Sequence, residues 1–198
     1  MYLIFDTETS GLPKNPRLLA EYVENWPHIV QLSWGLYNDD GSLISMNDFI
    51  IRPVGFTIDE DSTKIHGITT EIALREGNMI KDVLYKFKED WKKVSFVCAH
   101  NLDFDLNVIG AEFYRANYRL GSRNIRKKIC TMKQTTEYCK IPFSNSKYHS
   151  KYKWPRLQEL YFKLFNKEFS NAHNAKYDVI ACAKCLFHCI ENGIITHN

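Results

Sequence analysis

The sequence predicts a mixed α/β fold in which helices flank a five-stranded sheet. Two observations support this prediction. The first 52 residues contain three closely spaced strand patterns with a turn signal at 38–41, and the rest alternates strand-length apolar runs with helical periodicities. An antiparallel beginning followed by alternating strands and helices is typical of a sheet covered by helices. Because no linker, repeat or low-complexity tract interrupts the pattern, we expect one domain over residues 1–198.

The individual elements follow from local patterns. The first strand is apolar at every position, which is typical of the centre of a sheet, and the first three strands are spaced as an antiparallel meander. The helices show apolar residues at intervals of three and four, and Pro155 suits the first turn of its helix. The predicted strands are 2–5, 29–37, a third ending near 52, 95–99 and about 125–131; the predicted helices are 78–93, 102–118, 155–165 and 175–192.

The composition excludes several classes of protein. Apolar residues make up 44% and charged residues 25%, as in ordinary globular proteins, which argues against disorder and collagen-like sequence. The longest apolar runs have the length of a strand and cannot span a bilayer, so no membrane partner is expected. No basic segment precedes the apolar residues after Met1, so we expect a cytoplasmic protein with reduced cysteines. The net charge of +3 neither requires nor excludes a nucleic-acid partner.

Carboxylates cluster at two predicted strand ends. Asp6 and Glu8 stand at the end of the first strand, where the two-residue period points both side chains to one face. They repel each other unless a cation lies between them, although an exposed strand end would also accommodate them. Asp103 and Asp105 follow the fourth strand. The helix dipole explains Asp103 in a first turn, whereas Asp105 lies deeper in the helix and is better explained as a metal ligand.

A third stretch contains His173 and Asp178. Five residues of an ideal helix rotate through roughly 140°, so the two side chains cannot share a helical face. We therefore expect Asp178 to face the core from the helix and His173 to lie in the preceding turn, over the site.

The last helix also carries a stripe of cysteines. Cys182, Cys185 and Cys189 share a face with Asp178. We interpret them as small apolar residues that let the helix lie close to the sheet. The alternative is a zinc site that includes His188, but ligands from one helix converge poorly on a tetrahedral ion.

These stretches resemble the motifs of a known enzyme family. The segments 5–12 (FDTETSGL), 100–105 (HNLDFD) and 173–178 (HNAKYD) are similar to the three motifs of the DEDDh, or DnaQ-like, 3′–5′ exonucleases. The segment 66–69 (HGIT) resembles a further family segment, as does WP at 26–27 leading into 29–32. The resemblance spans about residues 2–190 in the expected order.

The resemblance implies a ribonuclease H-like fold and a complete active site. It assigns two divalent metal ions, Mg²⁺ or Mn²⁺, to four acids and the role of general base to His173. It also places Leu12 against the terminal base and the backbone near Thr7, with Glu8, at the terminal 3′ hydroxyl. We expect substrate contacts from His66 and Asn101 as well. The four implied metal ligands are Asp6, Glu8, Asp105 and Asp178.

The implied activity is metal-dependent 3′–5′ exonucleolytic release of nucleoside monophosphates from DNA, at single-stranded or frayed ends, as in proofreading or repair. The implied partners are therefore nucleic acid and, in a proofreading role, a DNA polymerase. Three alternatives compete with this expectation: an RNA-directed exonuclease of the same family, a non-catalytic nucleic-acid-binding or polymerase-docking module, and a structural α/β domain.

Two basic segments are further candidates for nucleic-acid contact. Residues 147–154 interleave basic and aromatic side chains, as single-strand binding with base stacking requires, although such a loop can equally pack on the next helix. A second run could follow phosphates or form a solvated face. It comprises Arg115, Arg119, Arg123, Arg126, Lys127 and Lys128.

Overall fold

The computed structural model describes residues 1–118, 127–143 and 151–196. Its centre is a five-stranded mixed sheet, as the sequence predicts. The strands are β1 Tyr2–Thr9, β2 Ile29–Tyr37, β3 Leu43–Ile50, β4 Phe96–Ala99 and β5 Lys127–Cys130. They lie in the order β3-β2-β1-β4-β5; the first three pair antiparallel, and β1, β4 and β5 pair parallel.

The central strand is longer than predicted. Asp6 and Glu8 lie in its last four residues, at the end of the strand as predicted, because its pairing with β2 continues through Asp6↔Ser33 and Glu8↔Gln31. Side chains alternate along β1. Leu3 and Phe5 belong to the core on one face of the sheet, and Ile4 to the core on the other.

Eight α-helices and a short 3₁₀ helix, Val23–Asn25, surround the sheet in the described part of the chain. None of these helices is long and apolar enough to cross a membrane. The α-helices are α1 Glu60–His66, α2 Thr70–Glu76, α3 Ile80–Trp91, α4 Leu102–Arg115, α5 Thr131–Gln134, α6 Thr136–Cys139, α7 Leu157–Phe165 and α8 Ala175–Glu191.

One predicted helix start is wrong. Pro155 precedes α7 instead of occupying its first turn. The cap is Arg156, whose backbone N–H donates to Oε2 of Glu159 over 2.8 Å. A glutamate at this position satisfies a backbone donor that the helix leaves unpaired, and it therefore fixes the start of the helix two residues after Pro155.

The cysteines of α8 pack in the core, as the stripe predicts. Cys182, Cys185 and Cys189 are at most 2% exposed and lie among apolar residues between α8 and the sheet. In the described part of the chain they belong to no group of metal-ligating atoms. These thiols therefore act as small apolar side chains, and the zinc alternative gains no support.

Arg115 is a structural residue, which corrects one part of the basic run. Its guanidinium donates to the carbonyl oxygens of Val23 (2.6 Å) and Trp26 (2.5 Å) and pairs with Glu112 at 2.9 Å. These bonds tie α4 to the segment before β2. Lys127 and Lys128 are exposed on β5, and Arg119, Arg123 and Arg126 lie outside the described residues.

Candidate active site

Three predicted acids from two elements converge on one point. Asp6 and Glu8 extend from β1, and Asp178 comes from the first turn of α8. One carboxylate oxygen from each lies within 4.8 Å of the other two. The two-residue period of β1 brings its acids to one face, and α8 packs across that face. Among the residues the structure describes, this is the one group of three or more acid, histidine or cysteine ligands.

The fourth acid, Asp105, lies beside this group and is held by Thr7. Its Oδ1 accepts hydrogen bonds from the backbone N–H (3.1 Å) and the hydroxyl (2.8 Å) of Thr7. Asp105 is only 2% exposed. Its neighbour Asp103 is exposed and forms a salt bridge with Lys133. The structure therefore separates the two acids as the sequence argument predicts, with Asp105 turned toward the other carboxylates.

The four carboxyls disfavour one another's ionisation. Burial, followed by the charges of Asp105, Asp178 and Glu8, raises the pKa of Asp6 well above its usual range. Burial and the charges of Asp178 and Asp105 raise the pKa of Glu8 to about 8. Burial also raises the pKa of Asp105 to about 7 and that of Asp178 to about 6. A bound cation would compensate this desolvation and repulsion, so the cluster fits a hard divalent metal.

His173 lies just before α8 and is exposed. Its backbone takes the left-handed conformation, with φ 67°, and its N–H donates to Oδ2 of Asp178 over 2.9 Å. The main chain of His173 thus orients an acid of the cluster, while its imidazole lines the same cleft. This matches the expected turn position beside the four acids.

The acids lie in a cleft of about 710 Å³. Leu12, at 84% exposure, and Asn101, whose left-handed backbone precedes α4, also line it. His66 does not. Its imidazole is 9% exposed, and Nδ1 accepts from the N–H of Ile68 over 3.1 Å. The substrate contact of His66 stays a prediction, while Leu12, Asn101 and Thr7 line the same cleft as the acids.

A sequence model described as Exonuclease (RNase T) matches residues 3–186. The chain belongs to this exonuclease family. The match covers most of the chain and confirms the family-level resemblance of the motifs. No curated protein sequence matches this chain at a significant level.

Solved structures show the same fold. Exonuclease I of E. coli, in a complex with a dT13 oligonucleotide, matches with a TM-score of 0.72 and 21% identity over 95% of this chain and 40% of that one. Exonuclease I of Methylocaldum szegediense gives 0.71 and 20%, over 96% and 40%. This chain thus spans about 40% of the length of these two forms of exonuclease I. Exonuclease X, in complex with 5′ overhanging duplex DNA, gives 0.63 and 22%, over 99% and 95%.

Sequence reasoning missed the positioning roles of two polar residues, one buried and one half-buried. The first is the buried Gln31 on β2, whose Oε1 accepts from the N–H of Ala175 over 3.2 Å and whose Nε2 donates to Asp48 over 2.8 Å. This contact fixes the N-terminus of α8, three residues before Asp178. The one sequence signal was a glutamine between the apolar residues Val30 and Leu32.

The second is His100, at the junction between β4 and α4. Its Nε2 lies 2.9 Å from the carbonyl oxygen of Pro155, and its Nδ1 lies 2.9 Å from Oγ1 of Thr131. A carbonyl only accepts, so Nε2 carries the proton and the Thr131 hydroxyl donates to Nδ1. The neutral imidazole therefore joins β4 to the segment that begins the opposite wall of the cleft.

We expect His100 to make stability fall at acid pH. Burial lowers its pKa to about 4, below the usual value of roughly 6.5. Because the unfolded chain binds the proton more readily, the contribution is complete above pH 6.5 and decreases as the pH falls toward 4, by about 3 kcal/mol. The free energy of unfolding of wild type and His100→Gln, measured by urea denaturation across this range, gives the difference. A difference that does not change with pH would contradict the assignment.

Proposed function

We propose that this exonuclease removes nucleoside monophosphates from the 3′ end of DNA, at single-stranded or frayed ends, in a metal-dependent reaction. The observation that carries the proposal is the convergence of Asp6, Glu8 and Asp178, with Asp105 beside them, in an open cleft next to His173. Two buried and two half-buried acids with raised pKa values lower the stability of the metal-free fold. A bound cation would compensate their charge, and such perturbed groups are typical of functional sites.

The residues present fit two divalent ions, Mg²⁺ or Mn²⁺. All four candidate ligands offer carboxylate oxygens, which these hard cations prefer. Asp6, Glu8 and Asp178 would hold the ions, and Asp105 would complete the set. When bound, such ions polarise the phosphate and lower the pKa of water.

The roles of the protein groups then follow from their positions. The exposed imidazole of His173 accepts a proton from the attacking water, because histidine is the side chain that most often acts as a general base. Its own N–H keeps Asp178 oriented at the same time. Thr7 holds Asp105 against the cluster. Leu12, which is nearly fully exposed at the cleft, provides an apolar surface for the terminal base.

DNA is the favoured substrate because two relatives of the same fold are described in complexes with DNA, one single-stranded and one duplex with a 5′ overhang. RNA is the alternative substrate. A DNA polymerase is a partner in the proposal only if the enzyme acts in proofreading.

The test is a time course with 5′-labelled and 3′-labelled oligonucleotides of one sequence, as DNA and as RNA, with Mg²⁺, Mn²⁺ or EDTA. We expect a 5′-labelled DNA ladder that shortens one nucleotide at a time, and immediate release of a labelled mononucleotide from the 3′-labelled strand. Mononucleotide release from the 5′ end, or undiminished activity in EDTA, would contradict the proposal. Faster RNA degradation would select the RNA alternative.

A further inference from the structure

Trp154 differs from the other tryptophans of the chain. It lines the cleft and is 59% exposed. The other three, Trp26, Trp34 and Trp91, are at most 4% exposed and pack in the core. An apolar ring exposed to water is unfavourable in free energy. A ligand with an aromatic surface that bound in the cleft would cover the ring.

Two exposed cations lie near Trp154, and each is anchored by an acidic partner. The ammonium of Lys133 lies 5.7 Å from the centre of the indole ring and forms a salt bridge with Asp103. The guanidinium of Arg156, two residues away, lines the same cleft, is 76% exposed and pairs with Glu159 at 3.3 Å. Between them, Pro155 is held by His100. The indole therefore projects from an anchored segment between two cations.

Such a combination suits a single-stranded nucleic acid. Bases stack on exposed aromatic rings irrespective of sequence, and neighbouring cations attract the phosphates. Neutral or basic ligands would gain much less from this pair of cations. Leu12 already offers an apolar surface for the terminal base, so the second surface suits another base of the same strand.

We propose that Trp154 is the stacking platform for a base upstream of the 3′-terminal nucleotide. This inference rests on the proposed function and deepens it, since it makes the cleft a site for at least two nucleotides of a single strand. Trp154 contacts substrate without taking part in the chemistry. Its contribution therefore depends on the length of the substrate.

Fluorescence tests the stacking directly, because Trp154 is the one exposed tryptophan of the four. Oligothymidylate of twelve nucleotides is titrated into the protein in EDTA, which prevents hydrolysis. We expect quenching of the wild-type emission and loss of this quenching in Trp154→Phe, which still stacks and binds. Equal quenching in both proteins would overturn the proposal.

Kinetics provide the second test. Trp154→Ala should lower kcat/KM for the twelve-nucleotide strand by about 5- to 100-fold, and Trp154→Phe should restore most of it. The loss should be much smaller with the p-nitrophenyl ester of thymidine 5′-monophosphate, which has no upstream base. The control is Tyr85→Ala, a comparably exposed aromatic on α3, with wild-type rates expected on both substrates.

The outcomes separate the two proposals. Equal losses on both substrates would show that Trp154 acts by positioning the site, and no loss on either would show that it contacts no substrate. Either result would overturn the stacking platform while leaving the exonuclease activity intact. Absence of hydrolysis and of quenching in the wild-type protein would instead contradict the proposed function, and the platform with it.

Discussion

Replacement of Asp6 by Asn is expected to abolish hydrolysis and, at the same time, to stabilise the metal-free protein. The substitution removes a carboxylate oxygen of the proposed metal site and a half-buried acidic group without a change of shape. Because burial and three neighbouring carboxyls raise the pKa of Asp6, its ionisation opposes folding at neutral pH. The free energy of unfolding of the metal-free variant should therefore exceed that of the wild-type protein.

The size of this effect depends on pH. A carboxyl with a raised pKa in the folded state binds its proton more tightly there than in the unfolded chain. The metal-free protein therefore loses stability as the pH rises from about 4, through the range in which Asp178 and Glu8 titrate, at about 6 and about 8. The advantage of Asp6→Asn should grow over this window and vanish below it.

Three measurements check the prediction: the initial rate with Mg²⁺ on a labelled oligonucleotide, the Tm in EDTA, and the shift of Tm on addition of Mg²⁺. Asp6→Asn should show no measurable rate, a higher Tm in EDTA and a smaller shift with Mg²⁺. The control is Asp61→Asn, whose side chain is 91% exposed and whose surface ion pair contributes little. A variant of Asp6 with wild-type activity would exclude the proposed metal site.

The sequence predicted the elements whose patterns are long. The central strands, α3, α4 and α8 have enough residues to establish a period, and their predicted bounds differ by a few residues from those observed. The helices α1 and α2 were missed because seven residues cover only two turns. Their caps were the available signal: Asp59 and Thr69 each accept a hydrogen bond from a backbone N–H three residues later.

The acids of the site were predictable because each occurs within a recognisable motif. Their positioning residues were not, because they act across long separations in the chain. Gln31 contacts Ala175, 144 residues away, and His100 contacts Pro155, 55 residues away. A polar residue within an apolar strand shows that a partner is required, but only the fold shows which partner. For the basic and aromatic segment at 147–154, residues 147–150 lie outside the described chain.

Replacement of His173 by Asn is expected to slow hydrolysis by about 10²- to 10⁴-fold, the usual contribution of a general base, while metal binding is retained. Asparagine is the informative substitution because it tolerates the left-handed backbone, φ 67°, that His173 adopts. It also keeps the N–H that donates to Asp178 but cannot accept a proton near neutral pH. Alanine at this position would add backbone strain to the loss of the imidazole.

The rate at saturating substrate and the Mg²⁺-induced shift of Tm separate the two functions of this residue. A general base predicts a lower kcat with an unchanged shift. If His173 instead acts by orienting Asp178, the shift should fall together with the rate, and a rate within threefold of wild type would place the base elsewhere. His188→Asn is the matched control. His188 lies near the C-terminus of α8, where its imidazole contacts Phe165 of α7, so its replacement should leave both quantities unchanged. The expected combination would assign proton transfer to the side chain of His173 and orientation of Asp178 to its backbone.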